Sequence, residues 1–168
     1  MMNTLASEFA PRRLNVPWHL WWRLHGELRR RSRGARESGA FLLGRHAGRG
    51  VDKVYCCAYY DDLDPESLRG HVEFHSTGFA KLWAECRRLD MVALADVHTH
   101  PGPSTQSEAD RTHPMITEKG HIAIIVPFYA YGPAFRLRNI SVYEYQGNYA
   151  WRDWSGSLRP SRVRLAWC

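Results

Sequence analysis

Residues 91–110 have the sequence MVALADVHTHPGPSTQSEAD, and this stretch decides the fold prediction. Its first seven residues form a short apolar run, which is typical of a strand that passes through a buried sheet. The run closes at His98, so the polar residues that follow lie at a strand end, where scaffolds commonly present chemistry. After a loop of Pro, Gly and Ser, Ser107 begins a polar segment with acidic residues early. That pattern predicts a helix with Asp110 on its first turn.

The residues before this stretch predict one amphipathic helix and two strands. Apolar residues recur at spacings of three and four within residues 17–33, which predicts a helix with Pro17 in its first turn. The apolar positions of that helix are Leu20, Trp21, Leu24 and Leu28. Residues 38–46 and 51–60 are rich in apolar, β-branched and aromatic side chains and predict two strands, with HAGRG as the turn between them.

The remaining elements are predicted from the same signals. Residues 61–67 are typical of a loop, and a Ser or Thr cap followed by an apolar side predicts a helix over residues 76–88. The further strand predictions are residues 71–75, 121–129 and 135–145. The tail holds three tryptophans and predicts a strand with an irregular end. Together these elements predict an α/β fold of the α+β type, a mixed sheet flanked by helices.

The length and composition favour a single domain over residues 1–168, with a helix at 17–33, a motif region at 37–110 and a tail at 146–168. The chain is long enough to bury a core without disulfides. Its 44% hydrophobic and 24% charged residues are ordinary for globular proteins. No apolar run reaches the ~18 residues of a membrane span. The start of the chain lacks a secretory pattern, so we expect a cytoplasmic protein without a membrane partner.

The spacing of the cysteines and the clustering of the basic residues limit the roles of both residue types. The four cysteines show no CxxC spacing, so we expect reduced thiols. The net charge is +6, and much of the excess lies in residues 29–36, RRRSRGAR. This run can be a patch for an acidic partner or nucleic acid, or a solvated helix end where cations favour the negative pole of the helix dipole. Because no aromatic residues interleave it, the sequence favours the helix end, and nucleic acid is not the expected partner.

Two imidazoles and a carboxylate lie within thirteen residues, at His98, His100 and Asp110. Two histidines and one carboxylate recur as the ligands of catalytic zinc, with a fourth position left for water. Histidines two apart on a strand face the same side, so both can reach one ion. Hydrolysis also needs a base that takes a proton from water and gives it to the leaving amine, and Glu37 is the candidate. The hydroxyl of Ser107 is a candidate donor to a developing oxyanion.

The pattern His98-Thr-His100-Pro101 followed by Ser107-x-x-Asp110 resembles the signature of the JAMM (MPN-type) zinc metalloproteases. The segment Glu37-Ser-Gly-Ala-Phe-Leu-Leu-Gly44 is similar to the glutamate-bearing strand of that family. The order of strand, crossing segment, apolar strand into an HxHP loop, and helix carrying the Asp is also similar. The resemblance covers roughly residues 17–145.

The resemblance implies a curved mixed β-sheet flanked by helices and cleavage of isopeptide or peptide bonds at the C-terminus of ubiquitin or ubiquitin-like proteins. It implies one zinc held by His98, His100 and Asp110, with Glu37 as the base and Ser107 as the oxyanion donor. One departure is that six residues separate His100 from Ser107, one fewer than is usual in the family. If the register shifts, Ser104 is the alternative hydroxyl.

The small size is similar to that of stand-alone bacterial family members, which process ubiquitin-like conjugates in antiviral defence or sulfur-carrier proteins. Other functions stay open at this point. They are a metallopeptidase acting on unrelated peptide linkages, a non-catalytic MPN-like scaffold that binds proteins, and a basic nucleic-acid-binding module. The non-catalytic scaffold is disfavoured because all three candidate ligands and a candidate base are present. His113 lies three residues after Asp110 and is expected to have a surface role or to support a ligand. The histidines at 71, 75 and 121 are expected to be structural or exposed.

Overall fold

The computed structural model describes residues 12–69, 72–134, 136–156 and 162–167. Within these ranges the chain forms eight strands and four α-helices. The strands are β1 (Arg13–Pro17), β2 (Gly39–Ala47), β3 (Val51–Tyr59), β4 (Val92–Thr99), β5 (Ile122–Val126), β6 (Ser141–Gly147), β7 (Ala150–Asp153) and β8 (Val163–Ala166). The helices are α1 (Trp18–Ser32), α2 (Tyr60–Leu63), α3 (Ser76–Leu89) and α4 (Glu108–Thr112), and Phe128–Ala130 and Leu137–Asn139 form single 3₁₀ turns.

The strands form one curled sheet in the order β7-β6-β5-β4-β2-β3-β1-β8. The pairs β4–β5, β1–β3 and β1–β8 are parallel, and the others are antiparallel. The predicted mixed α/β fold is therefore confirmed. β4 lies between β2 and β5 in the middle of the sheet, so the residues at its carboxyl end have ordered strands on both sides.

Helices α1 and α3 cover the two faces of the sheet. From α1, the buried residues Trp21, Leu24 and Leu28 pack in one apolar cluster with sheet residues that include Leu42 and Val97. On the opposite face, α3 packs against a second cluster, whose members include Phe41, Leu43, Tyr60, Leu82 and Cys86. Each helix hides one apolar stripe, as the sequence periodicity predicts.

A β-bulge in β4 determines which face its later residues occupy. Leu42 of β2 lies opposite Ala95, but Leu43 lies opposite Ala93, so Leu94 is an extra residue in β4. An inserted residue reverses the alternation of side chains beyond it. Beyond the bulge, Ala95 therefore packs on the α1 side of the sheet, and the residues of even number face α3.

Gly39 makes room for an aromatic ring beside the end of β4. A Cβ atom at Gly39 would lie 2.2 Å from the ring of Tyr60, well inside van der Waals contact. Gly39 lies opposite His98 in the β2–β4 register. The buried Tyr60 ring consequently fills the space that a side chain at residue 39 would occupy.

Several element predictions are confirmed and others are wrong. The helices predicted over residues 17–33 and 76–88 correspond to α1 and α3. Residues 72–75 form no strand; they are an irregular segment that supplies side chains to the α3 face, while the predicted residue 71 lies outside the described residues. In the prediction over 135–145, a 3₁₀ turn at Leu137–Asn139 delays the strand until β6, and residue 135 lies outside the described residues.

The ends of the sheet differ most from the prediction. β1, which is not predicted from the sequence, lies between β3 and β8. The loop predicted over residues 61–67 overlaps the single helical turn of α2. In the tail, β7 pairs with β6 and β8 pairs with β1, while residues 157–161 lie outside the described part.

The described cysteines are free thiols, as expected: Cys56, Cys57 and Cys86. Cys56 packs on the α3 side and Cys57 on the α1 side, so the two point to opposite faces of β3. Burial raises the pKa of Cys57 to about 12. Cys168 lies outside the described residues. Among the described helices, none is long and apolar enough to cross a membrane.

The basic run at residues 29–36 lies at the end of α1, where the sequence analysis places it. Arg30 forms an ion pair with Glu27, and the side chain of Arg31 is only 10% exposed. The Arg31 guanidinium bonds to Glu27 and to the carboxylates of Asp61 and Asp62. Part of the positive charge is thus used within the fold, and it lies where the helix dipole favours cations.

Candidate metal centre

His98 and His100 project from the carboxyl end of β4 towards the same point. Both side chains are buried, with 6% and 7% of their surface exposed. The Nε2 atoms of the two rings lie 3.0 Å apart. The backbone N–H of His100 donates to the carbonyl of Val126, which continues the pairing of β4 with β5 beyond the last strand residue. The sheet therefore fixes the direction of both imidazoles.

Asp110 reaches the same point because α4 is capped in a defined way. The Ser107 hydroxyl accepts a hydrogen bond from the Asp110 backbone N–H, and the Asp110 carboxylate accepts one from the Ser107 N–H. This reciprocal capping box aims the Asp110 carboxylate back towards the loop. Its Oδ1 lies 3.2 Å from Nε2 of His98 and its Oδ2 lies 3.2 Å from Nε2 of His100.

The three donor atoms fit a single metal ion. His98, His100 and Asp110 form a group of possible metal ligands in the described part of the chain. Their possible ligand atoms all lie within 4.8 Å of one another. The two Nε2 atoms are 3.0 Å apart, and each lies 3.2 Å from a different oxygen of the Asp110 carboxylate. Two imidazole nitrogens and a carboxylate are donors that zinc accepts, so the chemistry of the group fits such an ion.

The electrostatics of the group favour a cation. Burial by itself lowers the pKa of His98, but hydrogen bonds and charge from Asp110 and Asp96 outweigh it and raise that pKa to about 10. Burial favours the neutral form of Asp110, yet hydrogen bonds from His100 and His98 hold the pKa of Asp110 well below its usual range. The carboxylates thus stabilise positive charge at the point where the donor atoms meet.

A buried carboxylate supports His98 from behind. Asp96 lies two residues earlier on the same face, and its Oδ2 is 3.8 Å from Nδ1 of His98. Its Oδ1 is 2.8 Å from Nε2 of His121. Burial raises the pKa of Asp96, but hydrogen bonds from His121 and His98 outweigh it and hold the pKa below its usual value. A carboxylate behind a ligating histidine orients the ring and raises its basicity.

Tyr60 is a further polar neighbour of Asp96. Its hydroxyl lies 3.5 Å from the second oxygen of Asp96. Burial and the charge of Asp96 raise the pKa of Tyr60 well above its usual value, so the phenol stays a neutral donor. Neither the role of Asp96 nor a partner for His121 is predicted from the sequence. The available signal was the spacing Asp96-x-His98-x-His100, which puts three polar side chains on one face of a strand.

Glu37 lies beside the metal-ligand group, in the segment that joins α1 to the sheet. The backbone N–H of Thr99 donates to the carbonyl of Ser38, and Gly39 lies opposite His98. Continuation of this antiparallel register puts Glu37 opposite His100, on the face that carries both histidines. The expected glutamate-bearing strand is corrected in one respect: β2 begins at Gly39, so the half-buried Glu37 precedes the strand.

One cavity of about 560 Å³ brings the candidate residues together. Glu37, His98, Ser107 and Asp110 all line it, which unites the candidate base and oxyanion donor with the ligand group. The exposed His113 lies on the same cavity, and its Nδ1 is 3.0 Å from the hydroxyl of Thr112. His113 is outside the group of convergent ligand atoms in the described residues, in keeping with the expected surface or supporting role.

The two candidate serines lie on different sides of the loop after His100. Ser107 lines the cavity with the candidate ligands His98 and Asp110, and its hydroxyl donates to Oδ2 of Asp110 at 2.8 Å. Ser104 instead bonds to the hydroxyl of Ser141 and to the carbonyl of Asn139. It lines a separate cavity of about 370 Å³. The geometry therefore favours Ser107 over Ser104 as a group that meets substrate.

A strained turn holds the backbone of the histidine loop. The consecutive residues Phe128, Tyr129 and Ala130 have φ values of 52°, 52° and 61°, in the left-handed region. Such a backbone costs about 1 to 2 kcal/mol per residue for side chains other than glycine. The N–H of Tyr129 donates to the carbonyl of His100, and the N–H of Phe128 donates to that of Gly102. The strained backbone therefore lies where its N–H groups hold the loop that contains His100 and Gly102.

The comparisons with known proteins establish similarity of fold. No family model matches the chain. A solution structure of a protein from Desulfitobacterium hafniense has a TM-score of 0.64 at 15% identity, over 92% of this chain and 93% of that chain. A solution structure from Salinibacter ruber has a TM-score of 0.57 at 14% identity, over 83% of this chain and 87% of that one. Identities this low show a shared fold and carry no function.

Proposed function

We propose that this protein is a JAMM-type zinc hydrolase that cleaves the bond after the C-terminal glycine of a ubiquitin-like protein. The observation that carries the proposal is the convergence of His98, His100 and Asp110 beside a cavity that His98 and Asp110 line together with Glu37 and Ser107. Two imidazoles, one carboxylate, an adjacent free carboxylate and a hydroxyl are the groups that metal-assisted hydrolysis of an amide requires.

The substrate and the family rest on the sequence pattern. The HxHP and SxxD motifs and the upstream Glu37 resemble the JAMM signature, and the mixed sheet with its flanking helices is compatible with that family. Cleavage after a terminal glycine, in conjugates or in a precursor, is what this resemblance implies. The proposed setting is a compact bacterial enzyme of the cytoplasm that acts on a ubiquitin-like modifier.

The metal would be held by His98, His100 and Asp110. When bound, zinc would supply Lewis-acid polarisation of the scissile carbonyl and would lower the pKa of a water at its open position. The remaining chemistry belongs to side chains of this chain. Asp96 keeps the imidazole of His98 in a fixed orientation from behind, which protects the ligand geometry during turnover.

Glu37 is the proposed general base. Its carboxylate takes a proton from the attacking water and then donates that proton to the leaving amine, so one group serves both halves of the reaction. Its half-buried place on the cavity beside the ligand group leaves it accessible to water. In this structure the Ser107 hydroxyl donates to Oδ2 of Asp110. Ser107 is proposed to turn that hydrogen to the oxygen that becomes negative when the carbonyl is attacked.

The test measures cleavage by the purified, zinc-loaded protein. The probes are ubiquitin and a bacterial ubiquitin-like sulfur carrier, each with a short C-terminal extension. We expect release of the extension after the terminal glycine, loss of cleavage with a chelator, and recovery with added zinc. Zinc-loaded protein that cleaves neither probe but cleaves an unrelated peptide would contradict the proposed substrate and favour a general metallopeptidase. Absence of any bound zinc would contradict the mechanism itself.

A further inference from the structure

The cavity at the metal-ligand group has an apolar wall that the proposed chemistry does not use. The side chains of Val72, Phe74 and Phe79 line the cavity beside the polar residues. All three are only partly buried, so their apolar surface faces the space beside the candidate base. Cavities of ~300 to 1,000 Å³ with apolar walls and a few polar groups are typical of ligand sites.

The wall is held rigidly by the core behind it. The ring of Phe74 packs against those of Phe41, Tyr60 and Phe79, with centroids 4.8 to 5.4 Å apart. A Cβ atom at Gly78 would lie 2.8 Å from the Phe74 ring, so a glycine is needed for the ring to sit there. Aromatic rings fixed in this way present a surface at little entropic cost to a ligand.

The wall lies on the side of the cavity where Glu37 acts. The backbone N–H of Val72, the first residue of the wall, points to Oε2 of Glu37 at 3.4 Å. In the proposed mechanism Glu37 donates a proton to the leaving amine, so that amine must depart next to this carboxylate. Ser107 lies instead at the start of α4, where it is bonded to Asp110. The wall is therefore adjacent to the leaving group.

The acyl side of the proposed substrate cannot fill this wall, because its last residue is a glycine without a side chain. Val72, Phe74 and Phe79 present apolar side chains, and the carboxylate of the intervening Glu73 is exposed at the same cavity. A large apolar side chain on the residue after the scissile bond matches the wall, since burial of apolar surface is favourable. Resting on the function proposed above, we propose that Phe74 and Phe79 form a subsite for a leaving-group residue with a large apolar side chain such as Phe or Leu.

The subsite assigns a substrate class within the proposed function. It favours linear peptide bonds in which an apolar residue follows the terminal glycine, as in an extended precursor. Acidic or glycine residues at that place gain no contact with the wall. The reaction itself is unchanged: water adds to the carbonyl, the C–N bond breaks, and the amine of the apolar residue leaves with the proton that Glu37 carried.

The test measures binding of the leaving peptide, which does not depend on turnover. Isotope-labelled protein, as purified and with added zinc, is titrated with the amidated tripeptides Phe-Ala-Ala and Gly-Ala-Ala and followed by NMR. We expect the Phe peptide to bind about tenfold more tightly, from burial of one aromatic side chain. The resonances of Phe74 and Phe79 should shift. Equal affinities, no binding of either peptide at millimolar concentration, or shifts confined to residues 127–140 would each overturn the subsite.

A matched pair of variants on α3 makes the test specific. Phe79→Ala should remove the preference for the Phe peptide, and Phe79→Leu should keep most of it. Trp83→Ala is the control, because Trp83 stacks on Phe79 from the next turn of α3 and does not line the cavity. Circular dichroism checks that each variant folds. If Trp83→Ala lost the preference for the Phe peptide while Phe79→Ala kept it, the subsite would be contradicted. Failure to cleave glycine-linked proteins would refute the proposed function and leave the peptide-binding result to be judged separately.

Discussion

The two faces of β4 bury their side chains equally well but by different means. On the α1 side, Ala95 and Val97 are fully buried in an apolar cluster. On the α3 side, Asp96 and His98 are 2% and 6% exposed, and each has named polar partners. Apolar packing is non-directional, whereas a buried polar group depends on particular partners. Substitutions on the polar face should therefore change chemistry, and those on the apolar face should change stability.

The largest contrast is expected between adjacent residues on opposite faces. His98→Ala removes one of the three proposed ligands, so zinc content measured by mass spectrometry should fall from about one ion per chain to almost none. Val97→Ala should keep the zinc and lower the free energy of unfolding by about 2 kcal/mol, because it leaves a small cavity in the core. Zinc retained in full by folded His98→Ala would break the distinction between the faces.

Glu37 and Glu73 line the same cavity, but only Glu37 is expected to take part in catalysis. Glu37→Gln should keep the zinc and reduce kcat by about 10² to 10⁴, the usual contribution of a general base. Glu73→Gln is the control, because Glu73 lines the same cavity but lies on its exposed side. Single-turnover cleavage together with zinc content measures both. Equal losses of rate in the two variants would show that Glu37 has no special role.

A smaller effect is expected behind the ligands. Asp96→Asn keeps the shape of the side chain but removes the charge beside His98 and His121, and it should weaken zinc binding about 10- to 100-fold. Competition with a chromophoric chelator measures this affinity. Asp52→Asn serves as the control, since Asp52 is a buried aspartate on β3 whose partners are Arg12 and His46. Unchanged zinc affinity in Asp96→Asn would show that Asp96 does not support zinc binding.

The smallest effect concerns the two serines. Ser107→Ala removes the cap of α4 and should cost about 1 kcal/mol of stability, with a lower kcat because the oxyanion donor is also lost. Ser104→Ala should leave zinc content and kcat unchanged, since its hydroxyl bonds to Ser141 outside the cavity. Thermal unfolding and steady-state kinetics provide the readouts. A lower kcat in Ser104→Ala, together with an unchanged kcat in Ser107→Ala, would assign the oxyanion donor to Ser104.

The parts of this molecule that the sequence predicts are those with local signals. The periodicity of residues 17–33 and 76–88 predicts α1 and α3 because each helix needs one apolar stripe to cover the sheet. The placement of Asp110 is also local, because the capping box with Ser107 sets its direction. The sequence pattern therefore predicts that His98, His100 and Asp110 converge, as they do in the structure.

The parts that escape prediction depend on pairing between distant segments. β1 is short and contains Pro17, and its place in the sheet comes from β3 and β8. The bulge at Leu94 leaves no mark in the sequence because residues 91–95 are all apolar, yet it decides that His98 faces α3 and not α1. The role of Asp96 likewise requires His121, which arrives from the following strand segment.

Zinc-edge X-ray absorption of the zinc-loaded protein tests the central claim most directly, because it reports the ligands and not only the presence of the ion. The account predicts a four-coordinate zinc with nitrogen and oxygen ligands at ~2.0 to 2.1 Å and no sulfur. Loss of the histidine scattering in His98→Ala should accompany loss of the ion. A sulfur shell at ~2.3 Å would place the metal at the cysteines and contradict the assigned centre.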